Sequence, residues 1–257
     1  MENSKIEEKL VSIITPAFNC EKYIGYTIDS VLRQTYKNWE MIIVDDNSKD
    51  NTADVINGYL VNDNRIRYYK LDENSGAAVA RNKAVEMASG EFLAFLDSDD
   101  IWYSNKLSQQ IEFMVKNNYN FTFTSYDKID ESGELLNHTV QADVKKNYND
   151  ILKNNPGNST VIYNSSELGK FKIPEIKKRN DYVMWLKIIK KAKYIYGINQ
   201  PLGSHRLRPD SLSSKKINLV GYHWKVYRDI EKLSFIKSVY LLSYWVISSI
   251  FNRNLRH

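Results

Sequence analysis

A chain of 257 residues is long enough for one large α/β domain, or two small ones, around a sizeable core. Its net charge of +5 rests on plentiful acids and bases together, a balance that suits an anionic small molecule or an anionic membrane surface and does not call for nucleic acid. One cysteine, Cys20, excludes an internal disulfide framework or a cysteine-based zinc site. With the charged opening MENSKIEEKL, which lacks the apolar run of a signal peptide, it points to the reducing cytosol.

In chain order, the first half alternates strand and helix signals. VSIITPAF predicts a strand over Val11–Thr15, stopped by Pro16. Ile24, Ile28, Val31 and Leu32 recur at helical spacing. WEMIIVDD is a β-branched run ending in acids, SKDNTADVINGYL a capped helix, and IRYYKL a third strand. GAAVARNKAVEMAS predicts a helix stopped at Gly90, EFLAFLD a fourth strand, and SNKLSQQIEFMVKNN another helix. Such alternation predicts an α/β fold with a mostly parallel sheet flanked by helices, and ligands beyond the carboxyl ends of the strands.

After residue 120 the rhythm breaks. FTFTSYDKID and LLNHTV predict a hairpin around Gly133, and NSTVIYN a further strand. DYVMWLKIIKK is helical, with Tyr182, Trp185, Leu186 and Ile189 on one face; AKYIYGI is a late strand, followed by the polar loop GSHRLRPDSLSSKK. The tail, SFIKSVYLLSYWVISSIFNRNLRH, is too short in its apolar run for a bilayer span. On a helical wheel Ser234, Lys237, Ser238, Ser248, Ser249 and Asn252 form a narrow polar stripe, interrupted by Leu241 and Trp245, with Arg253 and Arg256 beyond. Such a helix either lies in a membrane interface or docks on protein.

Three strand tips carry the chemistry: TPAFN, VDDNS and LDSDD. Asp97 and Asp99, two apart on an extended chain, aim to one side, where hard oxygens suit Mg²⁺ or Mn²⁺. An Asx turn or helix cap would also explain the first cluster. Asp45 and Asp46, ending a second strand on the same edge, make capping alone a coincidence, and Asp46 suits a base N–H or a ribose hydroxyl. Arg81 sits on the helix opened by Gly76. Asp181 opens a helix, where an acid is favourable at the dipole whatever its function. Arg206 and Arg208 suit a diphosphate, and His205 is a weak candidate for a metal ligand.

From about residue 9 to 215, VSIITPAFN, VDDNSKDNT, NSGAAVARNKAVEMASGEFLAFLDSDD, NDYVMWLK and HRLRPDSLS stand in the order and spacing of a known family. The sequence resembles the family 2 inverting glycosyltransferases of the GT-A fold, and looks most like bacterial members that build capsule, teichuronic acid or O-antigen chains. The resemblance implies a GT-A domain over residues 1–215 and a C-terminal helical extension over 216–257. It implies that Thr15, Pro16, Ala17, Asn19, Asp46, Gly76, Arg81, Asp97 and Ser98 bind the nucleotide. It further implies that Asp99 holds Mn²⁺ or Mg²⁺ on the diphosphate and that Asp181 is the catalytic base. The donor expected is a UDP-sugar. The acceptor expected is a glycan on polyprenyl diphosphate, met at the cytoplasmic face of the membrane, with the C-terminal helix touching membrane or a second copy.

Two positions depart from the family pattern. The Glu-Asp pair reads Asn180–Asp181, and a late Tyr-Arg-x-His reads His205-Arg206-Leu207-Arg208. The second change favours arginine on phosphate over a histidine on the metal. Two other functions share some of these features. A phosphoacceptor signalling module also gathers acids at strand tips, and a nucleotide-sugar binder need not catalyse. A dinucleotide oxidoreductase is disfavoured, because no Gly-x-Gly-x-x-Gly follows the first strand.

Overall fold

A computed structural model describes residues 9–176, 179–208 and 219–254, with side chains to Ser249. The N-terminal eight residues, most of the loop after Arg208, the expected boundary at 215/216 and Arg256 lie outside the described residues.

The ten strands are β1 (Val11–Ala17), β2 (Trp39–Asp45), β3 (Ile66–Lys70), β4 (Phe92–Phe95), β5 (Ile101–Trp102), β6 (Phe121–Ile129), β7 (Leu135–Val140), β8 (Lys145–Asn147), β9 (Ile162–Asn164) and β10 (Tyr194–Arg206). They form one sheet in the order β3-β2-β1-β4-β9-β6-β10-β5, with β7 on β6 and β8 on β10. The first four are parallel, as the alternation predicts. β9 then inserts antiparallel to both β4 and β6, and β10 returns parallel to β6. The carboxyl ends of β1, β2, β3, β4, β6 and β10 therefore share one edge. That edge brings three distant acidic and basic segments within reach of each other.

The helices are α1 (Ile24–Leu32), α2 (Thr52–Leu60), α3 (Ala77–Met87), α4 (Lys106–Asn117), α5 (Tyr148–Lys153), α6 (Ser165–Leu168), α7 (Asn180–Ala192), α8 (Leu219–Lys225), continued by a π-turn at Val226–Ile230, and α9 (Phe235–Asn254). Side chains alternate across each strand, so Ile13 and Ile14 enter different cores. Ile13, Met41 and Ile43 pack with Ile24, Ile28, Ile56 and Ile111 of α1, α2 and α4. Ile14, Ile42 and Phe95 pack with the alanines of α3 and with Trp185 of α7. Trp185 meets Phe95 edge-on at 4.9 Å, which anchors α7 beneath the sheet.

Three sequence expectations change. β1 runs through Pro16 to Ala17. Pairing with β4 has ended at Ile14, and the missing proline N–H costs no ladder bond on that side. Gly90 is a close-approach glycine more than a helix stop: α3 ends at Met87, and a Cβ on Gly90 would lie 2.6 Å from the Ser12 backbone nitrogen. The supposed loop Gly203–Arg206 is the end of β10, pinned between β6 and β5. A Cβ on Gly203 would fall 2.8 Å from the Ile101 carbonyl oxygen, so only glycine lets β5 seat there.

The C-terminal helix is turned inside out relative to a simple amphipathic reading. Ser238 is fully buried and Leu241 is 2 % exposed, so the middle of the stripe faces the protein, while Ser234 at its start is exposed. The Ser238 hydroxyl donates to the Ser234 carbonyl at 2.9 Å, which lets a polar side chain be buried at little cost. Phe235, Ile236, Val239, Tyr240, Tyr244 and Ile247 point outward, Ile236 with 81 % of its surface exposed. Among the described residues no helix is long and apolar enough to cross a membrane.

Candidate active site

A cleft of about 1390 Å³ opens along the shared strand edge. On the β1–β2 side its wall is Pro16–Asn19, Asp46, Asn74–Ala77 and Arg81; Asp97–Trp102, His205 and Arg208 form the middle. On the side of α5, α7, α8 and α9 it is lined by Leu152–Thr160, Arg179–Tyr182, His223, Tyr244, Trp245, Ser248 and Ser249.

Asp46 is buried, and its two oxygens accept the Ser75 and Gly76 amide hydrogens at 2.7 and 2.8 Å. It thus holds the turn that opens α3, where Gly76 takes φ +93°. Burial raises its pKa against those two bonds. Asp45 is internal scaffolding: it accepts from the Ser48 amide, the Ser48 hydroxyl and the Tyr68 hydroxyl. Asn19, at φ 44°, reaches the Lys49 amide through its side-chain oxygen.

The Asp-Ser-Asp-Asp turn divides its labour. Asp97 accepts from Arg81 at 2.6 Å and from the Asn158 amide at 2.8 Å, both on Oδ1. Asp100 is buried and accepts from the Ser159 hydroxyl and the Arg206 amide, with His205 Nδ1 at 3.2 Å; it fixes the turn to β10. Asp99 faces the cleft with Arg208 Nε 2.7 Å away, an ion pair whose N–H is not aligned on the oxygen. Burial and the neighbouring Asp100 push its pKa up to about 6, and Arg208 only partly offsets them. A carboxylate so placed is short of positive charge. Among the described residues no three His, Cys, Asp or Glu side chains form a metal cage. An oxygen donor in an acidic turn, without a cage, fits a hard dication that draws its other ligands from a diphosphate and water.

Arg81 is the bridge. Its guanidinium donates to Asp97 and, at 2.9 Å, to Asn180 Oδ1, tying the acid turn to the first residue of α7. The Asn180 side-chain nitrogen donates to the Ile176 carbonyl. The departure at 180 thus has a physical account: Asp97 already matches the Arg81 charge, and a neutral acceptor suffices beside it. Asp181 follows, half-buried in the cleft wall, with the Asn155 amide 3.4 Å from Oδ2.

Three expectations are placed differently. Thr15 is fully buried and its side chain is absent from the cleft wall. Arg206 is a correction: it is buried, and its guanidinium donates to the carbonyls of Asp99, Asp130 and Glu131. Three carbonyls hold its Nε and Nη1 away from the cleft lining, so Arg208 alone of the pair reaches the cleft. His205 lines the cleft but leans on Asp100, whose charge raises its pKa to about 9. Sequence reasoning passed over the Asn154–Ser159 loop, Arg179, His223 and Trp245. The turn-rich run NNPGNS is a signal for the first; nothing local marks the others.

An acid turn, a bridging arginine and a carboxylate on a helix start are thus gathered at one strand edge. Residues 12–172 match the profile of Glycosyl transferase family 2, and the chain belongs to that family. It is 44 % identical over 232 residues to TuaG of Bacillus subtilis (strain 168), named for teichuronic acid biosynthesis, across 90 % of this chain and 92 % of that one. It is 40 % identical over 245 residues, 94 % of each chain, to WfgD of Escherichia coli, named UDP-Glc:alpha-D-GlcNAc-diphosphoundecaprenol beta-1,3-glucosyltransferase. Staphylococcus aureus TarS 1–349 in complex with UDP-GlcNAc superposes with a TM-score of 0.73 at 22 % identity, over 93 % of this chain and 71 % of that 1–349 chain, a likeness of fold.

Proposed function

We propose that this glycosyltransferase moves a sugar from a UDP-sugar to a hydroxyl of a polyprenyl-diphosphate-linked glycan, inverting the anomeric centre, in cell-surface polysaccharide synthesis. The observation that carries this reading is the Asp97–Arg81–Asn180 link, which sets the acid turn and Asp181 in one cleft. The name of WfgD, whose chain this one matches nearly end to end, supports both the donor and the acceptor class.

The nucleotide lies against Pro16, Ala17, Asn19, Asp46, Gly76 and Ser98. Asp99 would hold Mn²⁺ or Mg²⁺, which when bound offsets charge on the diphosphate. Arg208 adds a fixed cation beside it. Asp181 takes the proton from the acceptor hydroxyl as its oxygen attacks the anomeric carbon. The bond from that carbon to the diphosphate oxygen breaks, its electron pair leaving with UDP. One displacement inverts the centre with no sugar–enzyme bond.

Residues 1–215 form the catalytic unit in this reading, and 216–257 an extension. The outward apolar face of α9, from Phe235 to Ile247, with Lys237 and Lys153 at its border, rests on the cytoplasmic membrane surface. There a polyprenyl acceptor presents its diphosphate. A panel of UDP, GDP and UDP-sugars, scored by divalent-dependent thermal stabilisation, tests the donor. UDP-sugars stabilise the wild type with Mn²⁺ or Mg²⁺, and Asp99→Asn removes the metal dependence. Stabilisation by GDP alone, or none that depends on metal, refutes the reading. Flotation with anionic vesicles tests the surface, and equal flotation after removal of residues 235–257 argues against it.

A further inference from the structure

The end of the cleft away from the acid turn holds groups that the transfer step leaves unused. Arg179, just before α7, lines the cleft in a left-handed backbone conformation, φ 63° and ψ 22°, which non-glycine residues adopt at a cost. No carboxylate of the described residues forms an ion pair with it, and its buried Nε has no hydrogen-bond partner. Its guanidinium lies 5.9 Å from the Trp245 ring. Two residues along the same chain stands Asp181.

His223 stacks against Trp245 with ring centres 4.4 Å apart. It is 4 % exposed and lines the cleft, and its Nε2 has no partner. The Tyr227 hydroxyl donates to the Leu152 carbonyl at 3.0 Å, so its oxygen is left to accept from His223 Nδ1 at 3.4 Å. With the proton on Nδ1, Nε2 is a buried lone pair without a hydrogen-bond partner among the described residues. Burial first, then the Arg179 charge, lower the His223 pKa to about 3, in keeping with a neutral ring.

We propose that Arg179, Trp245 and His223 form the subsite for a sugar 1-diphosphate ester on the acceptor side. Arg179 grips the diphosphate and Trp245 backs a face of the sugar ring, with the buried His223 ring holding Trp245 in place. The proposal rests on the glycosyl transfer proposed above. It makes the C-terminal helix part of the substrate site, because Trp245 belongs to α9. The unpaired cation has an ordinary consequence: an acceptor lacking the diphosphate leaves it unmatched.

The test uses the full chain, its preferred UDP-sugar, and two acceptors, an N-acetylhexosamine α-diphosphoalkyl ester and the matching α-O-alkyl glycoside. The wild type prefers the diphosphate ester through KM. Arg179→Gln lowers kcat/KM on that ester by about tenfold or more and cuts the preference ratio to near one, while the UDP dissociation constant holds. Arg179→Lys restores part of the ratio. Trp245→Ala raises KM for both acceptors and keeps the ratio. Melting temperature with UDP bound shows that each variant is folded. An unchanged ratio in Arg179→Gln overturns the subsite, as does a parallel loss of UDP affinity, which would assign the cation to the donor. A wild type that uses neither acceptor strikes the proposed reaction itself.

Discussion

Asp181 and Asp99 are both carboxylates on the cleft, with different surroundings and, in the proposed reaction, different work. Asp99 lies in a turn crowded with acids, with Arg208 as its ion-pair partner and His205 nearby. Asp181 stands on the far side of the Arg81 bridge, touched only weakly by Asn155. Replacing Asp181 by Asn keeps its shape and removes its basicity. Transfer should fall by about 10²–10⁴-fold, with UDP affinity within error of the wild type in calorimetry. His223 gives a pH signature of a different origin. Its folded pKa is depressed below the ordinary value, so the unfolded chain binds the proton more readily. Its contribution to stability is complete above pH 6.5 and is lost as pH falls toward 3, of order ~5 kcal/mol at the limit. Urea titrations across that range should show a shallower acid limb in His223→Phe.

At the scale of elements, α9 separates a polar stripe buried at its middle from an exposed apolar face, and stability data can read that inversion directly. Leu241 is enclosed, so Leu241→Ala should cost about 2–4 kcal/mol. Ile236→Ser should change stability by no more than about 0.5 kcal/mol, although it removes as many side-chain carbons from the same helix. Chemical denaturation of both variants gives the comparison; the reverse order would mean that the helix is seated the other way round. β10 makes a related point about position. Its end lies between β6 and β5, and one step of the strand alternation decides that Arg206 turns inward to three carbonyls while His205 faces the cleft.

Across the whole molecule, one edge collects every strand end that bears chemistry, and how much of that was legible depended on how local its cause was. The first strands and helices carry their burial pattern in their own spacing, so Ile24, Ile28 and Val31 announced the buried face of α1. The acid turn was legible as a cluster because its carboxylates stand together at one strand tip; that Asp100 is spent on Ser159 and the Arg206 amide was not legible. Thr15 and Arg206 were not, since both sit in motifs whose neighbours face the ligand, and only the sheet register says which side chain turns away. Arg179, His223 and Trp245 come from three segments that meet only through the packing of α8 and α9 on α5 and α7. No spacing in the sequence records that meeting. Ser238 can face inward because its hydroxyl is satisfied within its own helix, which the spacing of the stripe does not record.

The central claim is that acids from distant parts of the chain converge to drive a single displacement, with Asp181 as base. The most direct measurement is the anomeric configuration of the product, read by proton NMR from the coupling at the new anomeric carbon. From an α-linked UDP-sugar the account predicts a β-linked product with no α component; an α-linked product would contradict it.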